Sequence, residues 1–225
     1  MKITYIGQAG LLLEKDGYTV MIDPYLSDYV EKKINPRNFR RQPVDESLFD
    51  VAPDMIIFTH DHADHYDPET ASRFITKESR VTVLGPSSVM KLALIRGTDN
   101  NFVQFNPGTT WTEGGLSFTA VPAEHSDPYA IGVIIRDGDK KYYITGDTLY
   151  SERIFPSIPG DIFALFLPVN GVGNNMNMTD ASAFARRVGA KYTVPYHIGM
   201  FDELTADAFE CEGKVIPEIY KEIKF

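Results

Sequence analysis

The chain has 225 residues, a formal net charge of −9, 43% hydrophobic and 12% aromatic residues, and a single cysteine. This is the composition of an ordinary globular protein able to bury a sizeable core. The acidic balance argues against a general binder of nucleic acid or anionic membrane, which needs a basic surface, and one cysteine excludes an intrachain disulfide or a cysteine-based zinc site.

The opening "MKITYIGQAGLLLEKDG" has no long apolar run or small-residue cleavage site, and no stretch approaches the ~20 residues of a membrane span. A cytoplasmic location is therefore expected. Residues 2–6, 10–14 and 18–22 read as three short strands, with Asp16-Gly17 as a hairpin turn between the last two. Asp23-Pro24 stops the third. Residues 27–50 form a polar excursion with one short helix expected, longer than connections in compact domains usually run.

"DMIIFT" (54–59) is a near-continuous apolar run, as in a strand covered on both faces. Asp67-Pro68 then starts a helix expected to reach Lys77, with aspartate as its cap. A strand follows at 81–85, and Pro86 opens a helix predicted to end near Gly97. Strands are expected near 101–105, 116–121, 130–136, 140–145 and 161–169. A capped amphipathic helix at 179–189 and a strand at 191–196 complete the pattern. Alternating strands and helices without a linker or repeat predict one α/β domain over 1–225, with helices outside the sheets.

Chemistry concentrates at "THDHADH" (59–65), which holds three of the five histidines in the chain. It lies at the exit of the buried strand. Residues two apart on an extended chain point to the same side, so His60 and His62 can converge on one ion. Asp64 and His65, where the chain turns toward the next helix, can face a second ion beside it. The other histidines, His125 and His197, and the acidic Asp147 of "YYITGDT" each follow a predicted strand. Neutral imidazole at such positions is a metal ligand by preference.

The series HxHxDH, a distant histidine, a Gly-Asp after a strand and a final histidine resembles the metallo-β-lactamase superfamily, and the resemblance spans essentially the whole chain. It implies a four-layer αββα sandwich, an α/β (α+β) fold with the site along one edge of the paired sheets. It further implies that His60, His62 and His125 hold a first divalent metal ion, that Asp64, His65 and His197 hold a second, and that Asp147 bridges them. A metal-bridging hydroxide would be the nucleophile, with Asp64 also serving as proton shuttle. Zinc fits the histidine-rich set, manganese or iron the mixed nitrogen and oxygen set.

Within the superfamily, "MKITYIGQAGLLLE", "VMIDPYLS", "IIFTHDHADHYDPET" and "NMTDASAFARRVGAKYTVPYHIGMFD" are similar to the group that includes L-ascorbate-6-phosphate lactonase. Members often carry histidine in a "GHS" turn where this chain has Gln8, so substrate contacts from that turn are not carried over. The resemblance implies a small-molecule substrate, an anionic lactone or ester of the sugar-phosphate type. A phosphodiesterase or nuclease of the same fold and a non-catalytic metal-binding module are the competing readings. A diiron redox enzyme is disfavoured because His62 is intact.

Four further residues are candidate substrate contacts. Arg37, Arg40 and Arg41 either clamp a phosphate or carboxylate or belong to a solvated charged loop. Asn175, in the polar "NGVGNNMN" segment, either lines the pocket or sits in a plain connection. Asp23 is expected to orient a ligand imidazole or simply to end its strand.

Overall fold

The computed structural model describes residues 1–94 and 99–225. In chain order the strands begin with β1 (Lys2–Gly7), β2 (Gly10–Lys15), β3 (Tyr18–Ile22) and β4 (Met55–Ile57). Helix α1 (Pro68–Phe74), β5 (Thr82–Gly85), α2 (Ser87–Ala93) and β6 (Asn101–Gln104) follow. The second half holds β7 (Thr110–Glu113), β8 (Leu116–Pro122), β9 (Ile131–Asp137), β10 (Lys140–Ile144), β11 (Ile162–Pro168), α3 (Met178–Val188), β12 (Tyr192–Tyr196) and β13 (Lys221–Glu222). Among the described residues these strands form a seven-stranded sheet ordered β13-β1-β2-β3-β4-β5-β6 and a six-stranded sheet ordered β12-β11-β10-β9-β8-β7.

Strand alternation dictates the layering. Leu11 and Leu13 of β2, Val20 and Ile22 of β3, and Met55 and Ile57 of β4 face the other sheet. There they meet Phe118, Ile131, Val133, Ile135 and Phe166 in one buried core. The intervening Leu12, Met21 and Ile56 point outward, onto Ala71 and Phe74 of α1 and Val89, Met90 and Ala93 of α2. Ile134, Leu165 and Leu167 do the same beneath Ala181, Phe184 and Ala185 of α3. Both faces of each sheet are apolar because both are covered, which yields the helix–sheet–sheet–helix order expected of the sequence. No helix among the described residues is long and apolar enough to cross a membrane.

The differences from the sequence reading have local causes. Strand β4 is only three residues long. Asp23 Oδ1 accepts the Thr59 N–H at 2.7 Å, and a side chain thereby takes the bond a neighbouring strand would have made. Helix α1 stops at Phe74 rather than Lys77, because Thr76 Oγ1 accepts the N–H groups of Glu78 and Ser79 in a tight turn. Pro86 caps α2 instead of being its first helical residue, and the expected helix end near Gly97 lies outside the described residues. The 27–50 excursion contains two short helical turns, Val30–Ile34 and Glu46–Asp50, not one. Strands β7 and β13 escaped the sequence reading: one is a half-exposed four-residue strand, the other a two-residue pairing with β1.

Strand direction places the site. Strands β3, β4, β5 and β6 run parallel, and β1 shares their direction through two antiparallel steps. In the other sheet β10, β11 and β12 run parallel, and β8 joins them through β9. All the corresponding C-terminal ends in each sheet open on one edge, where ligands of α/β sheets gather.

Phe118 is fully buried between the sheets. Replacing it with alanine is expected to lower the unfolding free energy by about 3–5 kcal/mol, read from urea denaturation curves of unchanged slope.

Candidate metal centre

Seven side chains from four strand exits meet on that edge. The segment after β4 supplies His60, His62, Asp64 and His65; His125 follows β8, Asp147 follows β10 and His197 follows β12. Their donor atoms form three overlapping groups: His60, His62 and His125; His60, His65 and Asp147; and Asp64, His65 and His197. Within each group the atoms lie within 4.8 Å of one another. The sequence-predicted ligands are thus all in one place.

In the first set, His62 Nδ1 lies 3.1 Å from His125 Nε2. The His60 ring centroid stands 4.6 Å from both neighbours. His125 Nδ1 donates to the Asn174 carbonyl at 3.2 Å, which leaves Nε2 with a lone pair facing the cluster. Thr59 Oγ1 lies 3.1 Å from His60 Nδ1, and His60 Nε2 is buried with no hydrogen-bond partner. An orphaned imidazole nitrogen beside two others fits a cation and little else.

The second set is more deeply buried. His65 Nδ1 donates to Asp23 Oδ2 at 2.8 Å, so its Nε2 faces inward as an acceptor. His65 Nε2 lies 3.3 Å from His197 Nε2 and 3.2 Å from Asp147 Oδ1, an atom with no hydrogen-bond partner of its own. His197 Nε2 is 3.2 Å from both Asp64 Oδ2 and Asp147 Oδ2. Ligands about 2.0–2.1 Å from a tetrahedral ion stand roughly 3.3 Å apart, so these separations suit one. Asp147 is held by Asn175, whose Nδ2 donates to Oδ2 at 2.8 Å. The backbone before it is special: Gly146 has φ 62°, and a Cβ there would stand 2.6 Å from the Ile131 carbonyl oxygen.

The two sets differ electrically. Burial, reinforced by His65, keeps the His60 imidazolium well below the usual histidine range. Burial also lowers His125, against the pull of Asp147. Burial would depress His65 too, but the Asp147, Asp23 and Asp64 carboxylates outweigh it and hold the group well above its ordinary value. For His197 the same opposition, led by Asp147, ends with the group pushed up to about 10. Burial opposes ionisation of Asp64 and Asp147, yet the facing histidines keep both below the normal carboxylate range. In the first set, burial thus favours the neutral imidazole at His60 and His125. In the second, the carboxylates favour positive charge at His65 and His197.

Asp23 sits where an orienting residue must: its carboxylate takes the Thr59 N–H, the Thr59 hydroxyl and the His65 Nδ1–H together. The arginines are placed differently. Arg40 donates to the carbonyls of Tyr25 and Gln42 and lies over the Tyr25 ring. Arg41 pairs with Glu203 at 2.9 Å, and its backbone N–H bonds the Met200 carbonyl. Both fasten the 27–50 excursion to the rest of the chain, while Arg37 is exposed. Asn175 touches Asp147 itself.

Sequence reasoning met Gln8 only as a departure from the family turn and Asn170 only within the polar NGVGNNMN segment, and assigned neither a partner. Gln8 Nε2 donates to Asp64 Oδ2 at 2.7 Å, and Asn170 Nδ2 lies 3.1 Å from His197 Nδ1. A half-turn of the Asn170 carboxamide would let its buried, unpartnered Oδ1 accept from His197 Nδ1–H, freeing Nε2 for an ion. Both residues occupy strand exits on the same edge, the signal that could have found them.

Comparison with known proteins agrees with this geometry. The family model described as the beta-lactamase superfamily domain matches residues 18–198, which include all seven candidate ligands. A metal-dependent hydrolase of Carboxydothermus hydrogenoformans is 31% identical over 227 residues, covering 95% of this chain and 92% of that protein. One from Oenococcus oeni is 26% identical over 249 residues, with both chains covered fully at 100%. The solved structure of a metallo hydrolase from Ignicoccus hospitalis superposes with a TM-score of 0.77 at 20% identity, covering 100% of this chain and 97% of that one. The chain belongs to the beta-lactamase superfamily and has its fold.

Replacing Asp23 with asparagine removes the acceptor that fixes the His65 tautomer. We expect metal retention to weaken about 10–100-fold, measured by competition with a chromophoric chelator.

Proposed function

We propose that this superfamily member is a metal-dependent hydrolase with two divalent ions, acting on a small anionic lactone or ester of the sugar-phosphate lactone type. The observation that carries the two-ion reading is Asp147. Its two oxygens stand 3.2 Å from His65 Nε2 and from His197 Nε2 respectively, and the carboxylate also groups with His60. A single ion would leave one side of this continuous donor set unused.

In this reading His60, His62 and His125 would hold one ion and Asp64, His65 and His197 the other, with Asp147 available to both. Bound ions would supply Lewis acidity and bring water to a reactive state near neutral pH. Zinc suits the imidazole set, and manganese or iron the set with carboxylates.

The chain's own residues supply orientation and proton handling. Asp23 and Asn175 keep His65 and Asp147 from rotating. Asp64, the more exposed of the two carboxylates facing the cluster, would be the proton carrier to the leaving oxygen. His62, His125 and Ser126 form the side open to solvent, where substrate would approach. No thiol nucleophile is needed: Cys211 packs beside the α3 core.

The substrate class rests on the likeness of the chain's motifs to the L-ascorbate-6-phosphate lactonase group. Relatives named as metal-dependent hydrolases support hydrolysis. The net charge of −9 supports a small molecule over RNA or a membrane surface, and the proposed location is cytoplasmic.

Elemental analysis of the purified, metal-loaded protein is expected to find about two ions per chain. His62→Ala and Asp147→Ala should lose metal and turnover together on a panel of lactones, esters and phosphodiesters assayed with zinc and with manganese. Turnover that survives in either variant after chelation would sink the mechanism. Phosphodiester cleavage alone would replace the substrate class.

A further inference from the structure

Gln8 lies at the exit of β1 and is 2% exposed. Its backbone adopts φ 53°, a left-handed conformation that residues with a Cβ seldom take. Strain of this kind persists only where the surroundings impose it. Here they do so from two sides: the Gln8 carbonyl accepts the His197 N–H at 2.8 Å and the Tyr5 hydroxyl at 3.0 Å.

The side chain has equally specific neighbours. Its Nε2 donates to Asp64 Oδ2 at 2.7 Å and lies 3.1 Å from His197 Nε2. One residue therefore grips two members of the second donor set, His197 through its main chain and Asp64 through its amide. The first set is oriented by other groups: Thr59 Oγ1 beside His60, Ser126 Oγ beside His62 and the Asn174 carbonyl on His125.

We propose that Gln8 is a positioning residue that sets the affinity of the second ion without affecting the first. The inference rests on the two-ion reading above. Asp64 is the one carboxylate of its set with a partly exposed side chain, so without the Gln8 donor water competes for the oxygen that should face the ion. Donors that orient a ligating carboxylate are typically worth 10–100-fold in metal affinity.

The test uses the full-length protein loaded with zinc, with Gln8→Met, which keeps length but has no donor, and Gln8→Glu, which offers only acceptors to Asp64. Ions per chain are counted along a chelator titration. The wild type is expected to release its two ions in separate steps. In both variants the ion of the second set should leave at about 10–100-fold lower chelator, while release of the ion of the first set stays in place. That unchanged release also reports that the variant is folded.

A second ion held as tightly as in the wild type by either variant overturns the proposal. So does equal weakening of both ions in a variant whose metal-free fold is intact. Should neither variant fold, the wild type decides: the Gln8 side-chain amide resonance should move with the second equivalent of zinc. Movement with the first equivalent, or none, overturns it. A wild type that binds fewer than two ions defeats the two-ion reading itself, a different result from any of these.

Discussion

The site depends on holding three carboxylates away from water. Asp23 and Asp147 are almost fully buried and Asp64 only slightly open. Burying a charge is costly unless it is paired and hydrogen-bonded. Each carboxylate here is matched by groups from other strands: Asp23 by Thr59 and His65, Asp64 by Gln8 and His197, Asp147 by Asn175 with His65 and His197 beside it. No one segment can satisfy its own charge. The cluster therefore becomes tenable only after both sheets have assembled, and the apolar core between them supplies the stability to hold it.

That dependence explains why strand direction matters more than strand sequence. A residue just beyond a strand is free of the ladder yet fixed in direction by it. Aligned strands β1, β3 and β4 in one sheet, and β8, β10, β11 and β12 in the other, each end in such a residue. Several pay no regard to ordinary backbone preference: Gln8, Asp23 and His197 have φ of 53°, 43° and 62°. Left-handed residues at three separate exits turn their side chains across the sheet edge instead of along the strand. Backbone strain is concentrated where the donors converge.

The same logic separates what the sequence made legible from what it did not. The spacing of His60 and His62 follows from period-two geometry, and the helix start at Asp67-Pro68 fixes where the segment must turn. Fold layering was readable because Leu12, Met21 and Ile56 interrupt the inward-facing residues with apolar ones, demanding cover on both faces. For Gln8 and Asn170 the strand exits could give the place but not the contacts, since a polar residue in a turn declares no partner. Main-chain ligands such as the Asn174 carbonyl leave no trace in residue type at all. The arginines of the excursion left an anion clamp and a solvated loop both open, because guanidinium groups are the same in sequence whether they bind substrate or, as Arg40 does, the chain's own carbonyls.

The two donor sets are also supported differently. The second is oriented by residues at strand ends, Gln8, Asp23 and Asn170, in the rigid part of the sheets. The first takes its outer contacts from loops: Ser126 precedes the Asp127 turn, and Asn174 belongs to the segment between Asn170 and Asn177 that touches both His197 and His125. Val172, near the middle of that segment, is 65% exposed, with Gly171 and Gly173 in left-handed conformations on either side. Loops tolerate substitution where strand ends carrying buried charge do not. Sequence change at the exposed 171–173 tip can therefore reshape the approach to the first set while Asn170 and Asn175, which contact His197 and Asp147, are kept, so one scaffold can keep its chemistry and still alter what it accepts.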